Sequence, residues 1–183
     1  MNTKRNYTHI LGSIVLLFLT LLSSNPASAQ NTKTTRAQKT AEKKQDVKNM
    51  MDNHNFVFMA QMALPQGWSN IQLNYNYNVT VSKDSIDCYL PYYGRAYVAP
   101  MDPTDPTQTG IQFKTKKFDY NSSNNKKSGW EITIVPHNVK ETRQMILSVS
   151  ELGYANLNVT SNNRQPISFN GYITENKPKD KKQ

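Results

Sequence analysis

IQLNYNYNVTV, residues 71–81, puts an apolar or aromatic side chain at every second position: Ile71, Leu73, Tyr75, Tyr77, Val79 and Val81. Gln72, Asn74, Asn76, Asn78 and Thr80 stand between them. A period of two belongs to a β-strand with one buried and one wet face, whereas a helix would need apolar residues three and four apart. The run predicts one long strand. The chain around it repeats the pattern. Upstream, Phe56, Phe58 and Met62 fall on one face of an earlier strand. Downstream, Lys83-Asp84-Ser85 makes a turn, and Ile86, Cys88 and Leu90 alternate with Asp87 and Tyr89. Residues 93–99 predict a further short strand, and the three prolines that follow forbid regular structure. Alternation resumes at Ile111 and Phe113 and extends through Phe118 and Tyr120. Asn121 to Gly129 reads as a polar turn. Trp130-Ile132-Ile134, Met145-Leu147-Val149, Ala155-Leu157-Val159 and Ile167-Phe169-Gly171-Ile173 supply the remaining strands.

Eight to ten short strands without intervening helices imply an all-β, antiparallel fold. A small lipocalin-like barrel and a β-sandwich both satisfy the pattern; closure would protect the edges. Thr34–His54 is the helical candidate, because Val47, Met50, Met51 and His54 fall at i, i+3, i+4 and i+7. A short N-terminal helix docked near Met50 follows, behind a frayed leader.

Ahead of it, Lys4 and Arg5 precede an apolar run from Ile10 to Leu22, and Ala27-Ser28-Ala29 offers a small-residue cleavage site. Residues 1–29 thus read as a secretory signal peptide cut before Gln30. The apolar run is short for a membrane span. No cysteine lies near the cut, so a lipoprotein is not expected. The expected organisation is signal peptide 1–29, a basic, partly helical leader 30–49, a β domain 50–174, and a disordered basic tail 175–183. An exported location is expected.

The 183 residues carry a net charge of +9. That excess invites a nucleic-acid reading, but its placement argues against one. Met50–Thr174 holds ten basic and nine acidic residues, so the β domain is nearly neutral. The surplus lies in the signal, the leader and the tail. Weak association with an anionic membrane surface through those basic segments is the most this charge implies.

No catalytic constellation stands out. The β domain and leader contain two histidines, His54 and His137, too few for a zinc site of ordinary composition. There is no Gly-x-Ser-x-Gly elbow, P-loop or dinucleotide fingerprint. Cys88 sits in the apolar register, as a small buried hydrophobe does. Asp84, Asp87, Asp102 and Asp105 serve as turn formers. Neither enzyme activity, a metal nor a cofactor is expected. The most distinctive local feature is LPYYGRAY, residues 90–97. Tyr89, Tyr92, Tyr93 and Tyr97 surround Gly94 and Arg95. Tyrosine offers a rigid apolar plate with a hydroxyl, and arginine can pair with a carboxylate or stack on a ring. These residues and Arg164, at the Ser161–Arg164 turn, are the candidate ligand- or partner-binding set. The ligand class expected is a small apolar or sugar-like molecule, or else an envelope protein.

LPYYGRAY (90–97), GIQFKTKKFDY (110–120), WEITIVP (130–136) and LNVTSNNRQPISFNGYI (157–173), in that order, resemble the Bacteroidetes DUF4251 family, a domain of unknown function. The resemblance covers about residues 39–174. It implies an exported, β-rich protein of a Gram-negative envelope, and it implies no catalytic residue. A non-catalytic binding domain is therefore the functional expectation. A hydrolase with an unrecognised active site, or a structural accessory subunit of an envelope complex, is the alternative.

Overall fold

In the computed structural model the described residues are 29–99, 102, 104–105, 109–125 and 129–177. The segment expected as a signal peptide (but for Ala29), most of the proline-rich loop and the tail beyond Lys177 lie outside them. The chain divides into units Met1–Lys39 and Thr40–Gln183, and the second carries every strand.

Among the described residues, ten strands follow one helix. They are β1 Phe56–Pro65, β2 Ile71–Gln72, β3 Asn78–Val81, β4 Ile86–Leu90 and β5 Ile111–Thr115. Then come β6 Phe118–Asn125, β7 Gly129–Pro136, β8 Thr142–Val149, β9 Tyr154–Ser161 and β10 Ile167–Glu175. Every named pairing is antiparallel, in the order β5-β4-β3-β1-β10-β9-β8-β7-β6, with β2 on β1. This is a nearly closed nine-strand barrel. Its two end strands, β5 and β6, are consecutive in the chain and joined only by Lys116 and Lys117. With nine antiparallel positions they run the same way, as two halves of one bent strand. The first half extends β4 and the second extends β7, so a covalent link completes most of the ring.

The interior is filled by inward-facing side chains. Phe56, Phe58, Phe169, Leu90, Ile132 and Met145 are among those fully buried. Alternation places them, as the sequence predicts, but not everywhere. On β1 the register shifts between Ala60 and Met62. The inward set therefore runs Phe56, Phe58, Ala60 and then Ala63, and the expected Met62 turns away. A bulge adds one residue and changes which face follows. At the same level β10 presents Gly171. A methyl there would lie 1.9 Å from the Met59 carbonyl oxygen.

The run 71–81 is not one strand. Gln72 stands opposite Met62 and Asn78 opposite Met59. Six residue steps thus face three, and the surplus loops out between β2 and β3. Residues 121–125 are likewise strand rather than turn, since β6 pairs with β7 out to Asn125–Gly129. Their side chains are polar because both faces of that edge are wet, so hydrophobic pattern could not mark them. Residues 93–99 form no strand; only an isolated bridge, Ala96 to Arg164, occurs there.

The helix α1 spans Ala29–Asp52. Its last turns dock. Val47 and Met51 are buried, and Val47 lies over Gly153 beside Ile173. The Lys44 ammonium meets the Glu151 carboxylate at 2.6 Å, and Lys43 stands over the Tyr154 ring. His54 ends the helix with φ 50° and its ring lies 4.3 Å from that of Tyr120. Burial pushes the Tyr120 hydroxyl pKa up to about 12.

Candidate functional site

The LPYYGRAY segment enters the long β4–β5 connection and folds back on the β9–β10 turn. Gln165 N–H donates to the Arg95 carbonyl at 3.0 Å, and Arg95 N–H donates to the Gln165 side-chain oxygen at 3.2 Å. Tyr97 N–H donates to the Asn163 carbonyl at 2.8 Å. The Tyr92 hydroxyl lies 2.9 Å from the Arg95 carbonyl and 3.1 Å from that of Gln165. Its single proton is thus directed between two carbonyls. Burial raises the Tyr92 pKa, against the lowering effect of the Arg164 charge. Gly94, at φ 149°, allows this curl: a side chain there would meet the Tyr92 hydroxyl at 2.9 Å.

Arg164 is the pin of the assembly. It is only 7% exposed. Its Nη1 donates to the Gly110 carbonyl at 2.8 Å, its Nε lies 3.8 Å from the Glu141 carboxylate, and its guanidinium sits 5.0 Å from the Tyr92 ring centre. One planar fork thereby ties the β4–β5 loop, the β7–β8 turn and the β9–β10 turn together. Beside it, between β5 and the β7–β8 turn, opens a cleft of about 720 Å³. It is the gap left where the ring is not hydrogen-bonded shut. Ala96, Val98, Gln112, Asn138 and Thr142 are among its walls. β5 is an end of the sheet order, so one edge of that strand faces this side without a paired strand.

The six candidate residues therefore do not form one site. Tyr92 and Arg164 line the cleft, and Arg95 and Tyr97 lie on the strap beside it. Tyr97 is 66% exposed. Tyr93 packs partly buried against the core. Tyr89 stands apart on the outer wall, where its ring centre is 5.5 Å from that of Tyr77 and 6.1 Å from that of Tyr75. Period assigns Tyr75 and Tyr77 to a buried face, and Tyr77 does pack half-buried against the core. The excursion between β2 and β3 places Tyr75 64% exposed instead. Nothing in the alternation of residues 71–81 signals this departure.

Cys88 is buried, and its thiol donates to the Ile111 carbonyl at a sulfur–oxygen distance of 3.3 Å. Burial first, and Asp87 second, push its pKa well above the ordinary 9.0. A raised pKa stabilises the fold below the unfolded value, and that contribution is lost as pH climbs past about 9. The native thiol should accordingly ignore a thiol reagent at about pH 8 and react once urea unfolds the chain. Rapid native labelling would contradict this burial. Among the described residues no three His, Cys, Asp or Glu side chains gather as a metal site. His137 Nε2 lies 3.1 Å from Asp119 on the surface.

The family described as Domain of unknown function (DUF4251) matches residues 38–173. A crystal structure of a DUF4251 family protein from Bacteroides eggerthii has a similar fold. It aligns over 74% of this chain and 89% of that one, at 15% identity and a TM-score of 0.53. No curated protein matches.

Proposed function

The chain belongs to the DUF4251 family, and from that premise we propose that it is an exported, non-catalytic envelope domain that holds a small ligand or an extended segment in the cleft beside Arg164. The observation that carries this reading is that cleft. Its volume of about 720 Å³ falls in the range of ligand pockets, roughly 300–1,000 Å³. The barrel interior offers no comparable room, because phenylalanine, leucine, isoleucine and methionine side chains occupy it. The reactive groups nearby are engaged structurally: Arg164 and the Tyr92 hydroxyl on backbone carbonyls, and Cys88 as a buried neutral thiol. Preorganised walls with adaptable polar groups suit binding rather than bond breaking.

The signal-like residues 1–29 support export, and the basic leader supports a loose hold on an anionic surface. The test is native mass spectrometry of the chain recovered after export, beside an Ala96→Trp variant. Ala96 lines the cleft and is exposed, so the indole fills the space at little structural cost. A reproducible bound mass in the parent that is absent from the variant is the expected result. An equal bound mass in both, or none in either, would overturn the assignment to this cleft.

A further inference from the structure

We propose that Tyr75, Tyr77 and Tyr89 form a second binding site, on the outer wall of β3 and β4, that takes a neutral polysaccharide. It adjoins the cleft at Gln112 but does not rest on the reading given for it.

The backbone turns Tyr75 outward and leaves Tyr77 half-buried behind it. Odd-numbered residues of β3 face inward: Val79 and Val81 are buried. A straight continuation would bury Tyr75 and Tyr77 as well. Instead the chain leaves the ladder for three surplus residues, and the excursion is anchored at both ends. Leu73 N–H donates to the Gln61 carbonyl at 2.9 Å, and Ala60 N–H donates to the Tyr77 carbonyl at 2.9 Å. Within it, Tyr77 N–H donates to the Tyr75 carbonyl at 2.8 Å, a three-residue turn. Irregularities of this kind re-aim side chains beside functional surfaces. Turning the Tyr75 ring out, 64% exposed, gives up burial that the core would otherwise gain, so the arrangement favours an external partner for it, with half-buried Tyr77 as its backing.

The three ring centres lie 5.4, 5.5 and 6.1 Å apart. Tyr77 and Tyr89 stack at an interplanar angle of 25°, while Tyr75 is tilted against both. Amides frame them. Asn78 and Gln112 are the ladder partners of Tyr89 on either side, and Asn74 and Asn76 are exposed on the excursion. The Asn78 side-chain N–H donates to the Asn76 carbonyl at 2.9 Å, which fixes that amide's direction. The nearest charges along this face, Asp87 and Lys114, pair with each other at 3.2 Å.

That chemistry selects the occupant. An anionic polymer would want a cation here, and Lys114 already has a carboxylate. Three rings at about 200 Å² each cover roughly 600 Å² even when fully buried. A stable protein interface takes about 800 Å² per partner. A pyranose ring, by contrast, presents a face of C–H groups to an aromatic plate and a rim of hydroxyls to amides, which is the combination found on this wall.

The experiment immobilises the full chain and titrates soluble dextran, mannan and xylan, with carboxymethylcellulose as the anionic control. At least one neutral polysaccharide should bind, with little response to added salt. Tyr75→Ala and Tyr89→Ala should each weaken binding about tenfold, and Tyr75→Phe should retain it. Tyr75 lies outside the regular strands, so its alanine variant keeps the fold, which circular dichroism checks. Ala96→Trp should leave polysaccharide binding unchanged, which separates failure here from failure of the cleft. No neutral binding, binding that survives both alanine variants, or binding confined to the anionic polymer would overturn the proposal.

Discussion

Gly171→Ala is expected to cost about 3–5 kcal/mol and to lower the melting temperature by roughly 10–20 °C. The cause is contact rather than dihedral strain. A Cβ on residue 171 would stand 1.9 Å from the Met59 carbonyl oxygen and 3.1 Å from the Phe58 ring. Backbone cannot yield as a side-chain end can, so β1 and β10 must separate where β1 bulges. Gly67→Ala provides the contrast. Its φ is +75°, but nothing lies within 4 Å of an added methyl, so only the conformational cost of about 1 kcal/mol applies. Thermal unfolding followed by circular dichroism measures both. Equal, small losses would show that the two strands can part cheaply at residue 171.

Arg164→Ala should destabilise by about 2–4 kcal/mol, because it strands a buried carbonyl and removes packing as well as charge. Gly110 is itself buried, and its oxygen takes a hydrogen bond from the Arg164 guanidinium at 2.8 Å. Tyr92 would lose the cation over its ring. Arg164→Lys should recover only part of the loss, since a single ammonium cannot span three loops as the fork does. The readouts are the urea midpoint and amide hydrogen exchange over Tyr92–Tyr97. Faster exchange across that strap is expected in both variants. A loss below about 1 kcal/mol with unchanged exchange would mean that the strap holds without its pin.

Period-two alternation was enough to identify the inward residues of β4, β7, β8, β9 and β10. For β4, β7, β8 and β9 the neighbours in sequence are the partners in space, and β10 adds only its seam with β1. Three places escaped that logic, for one reason: strand pairing is set by the partner's backbone. Residues 71–81 alternate without fault, yet six of their residue steps face only three of β1, and the surplus leaves the ladder with Tyr75 exposed. Residues 121–125 carry no hydrophobic pattern and are strand because β7 pairs with them. Residues 93–99 have strand-like composition but bond to a turn. The tyrosines and arginine of LPYYGRAY were recognisable as a group by residue type. That Tyr89 faces one surface while Tyr92 and Arg164 brace another depends on where β4 ends, which composition does not encode.

The sheet order carries a consequence for how the barrel assembles. β3 through β5 and β6 through β10 are each a chain of nearest-neighbour pairings, so most contacts close small loops. Among the strand pairings of the described residues, the distant one joins the first long strand to the last, Phe56 against Glu175. Closing so large a loop is the costly entropic step. Two local meanders are therefore expected to form early, with the β1–β10 seam as the slow event that commits the chain. Gly171 lies on that seam, so a bulky residue there should slow folding as well as weaken the folded state.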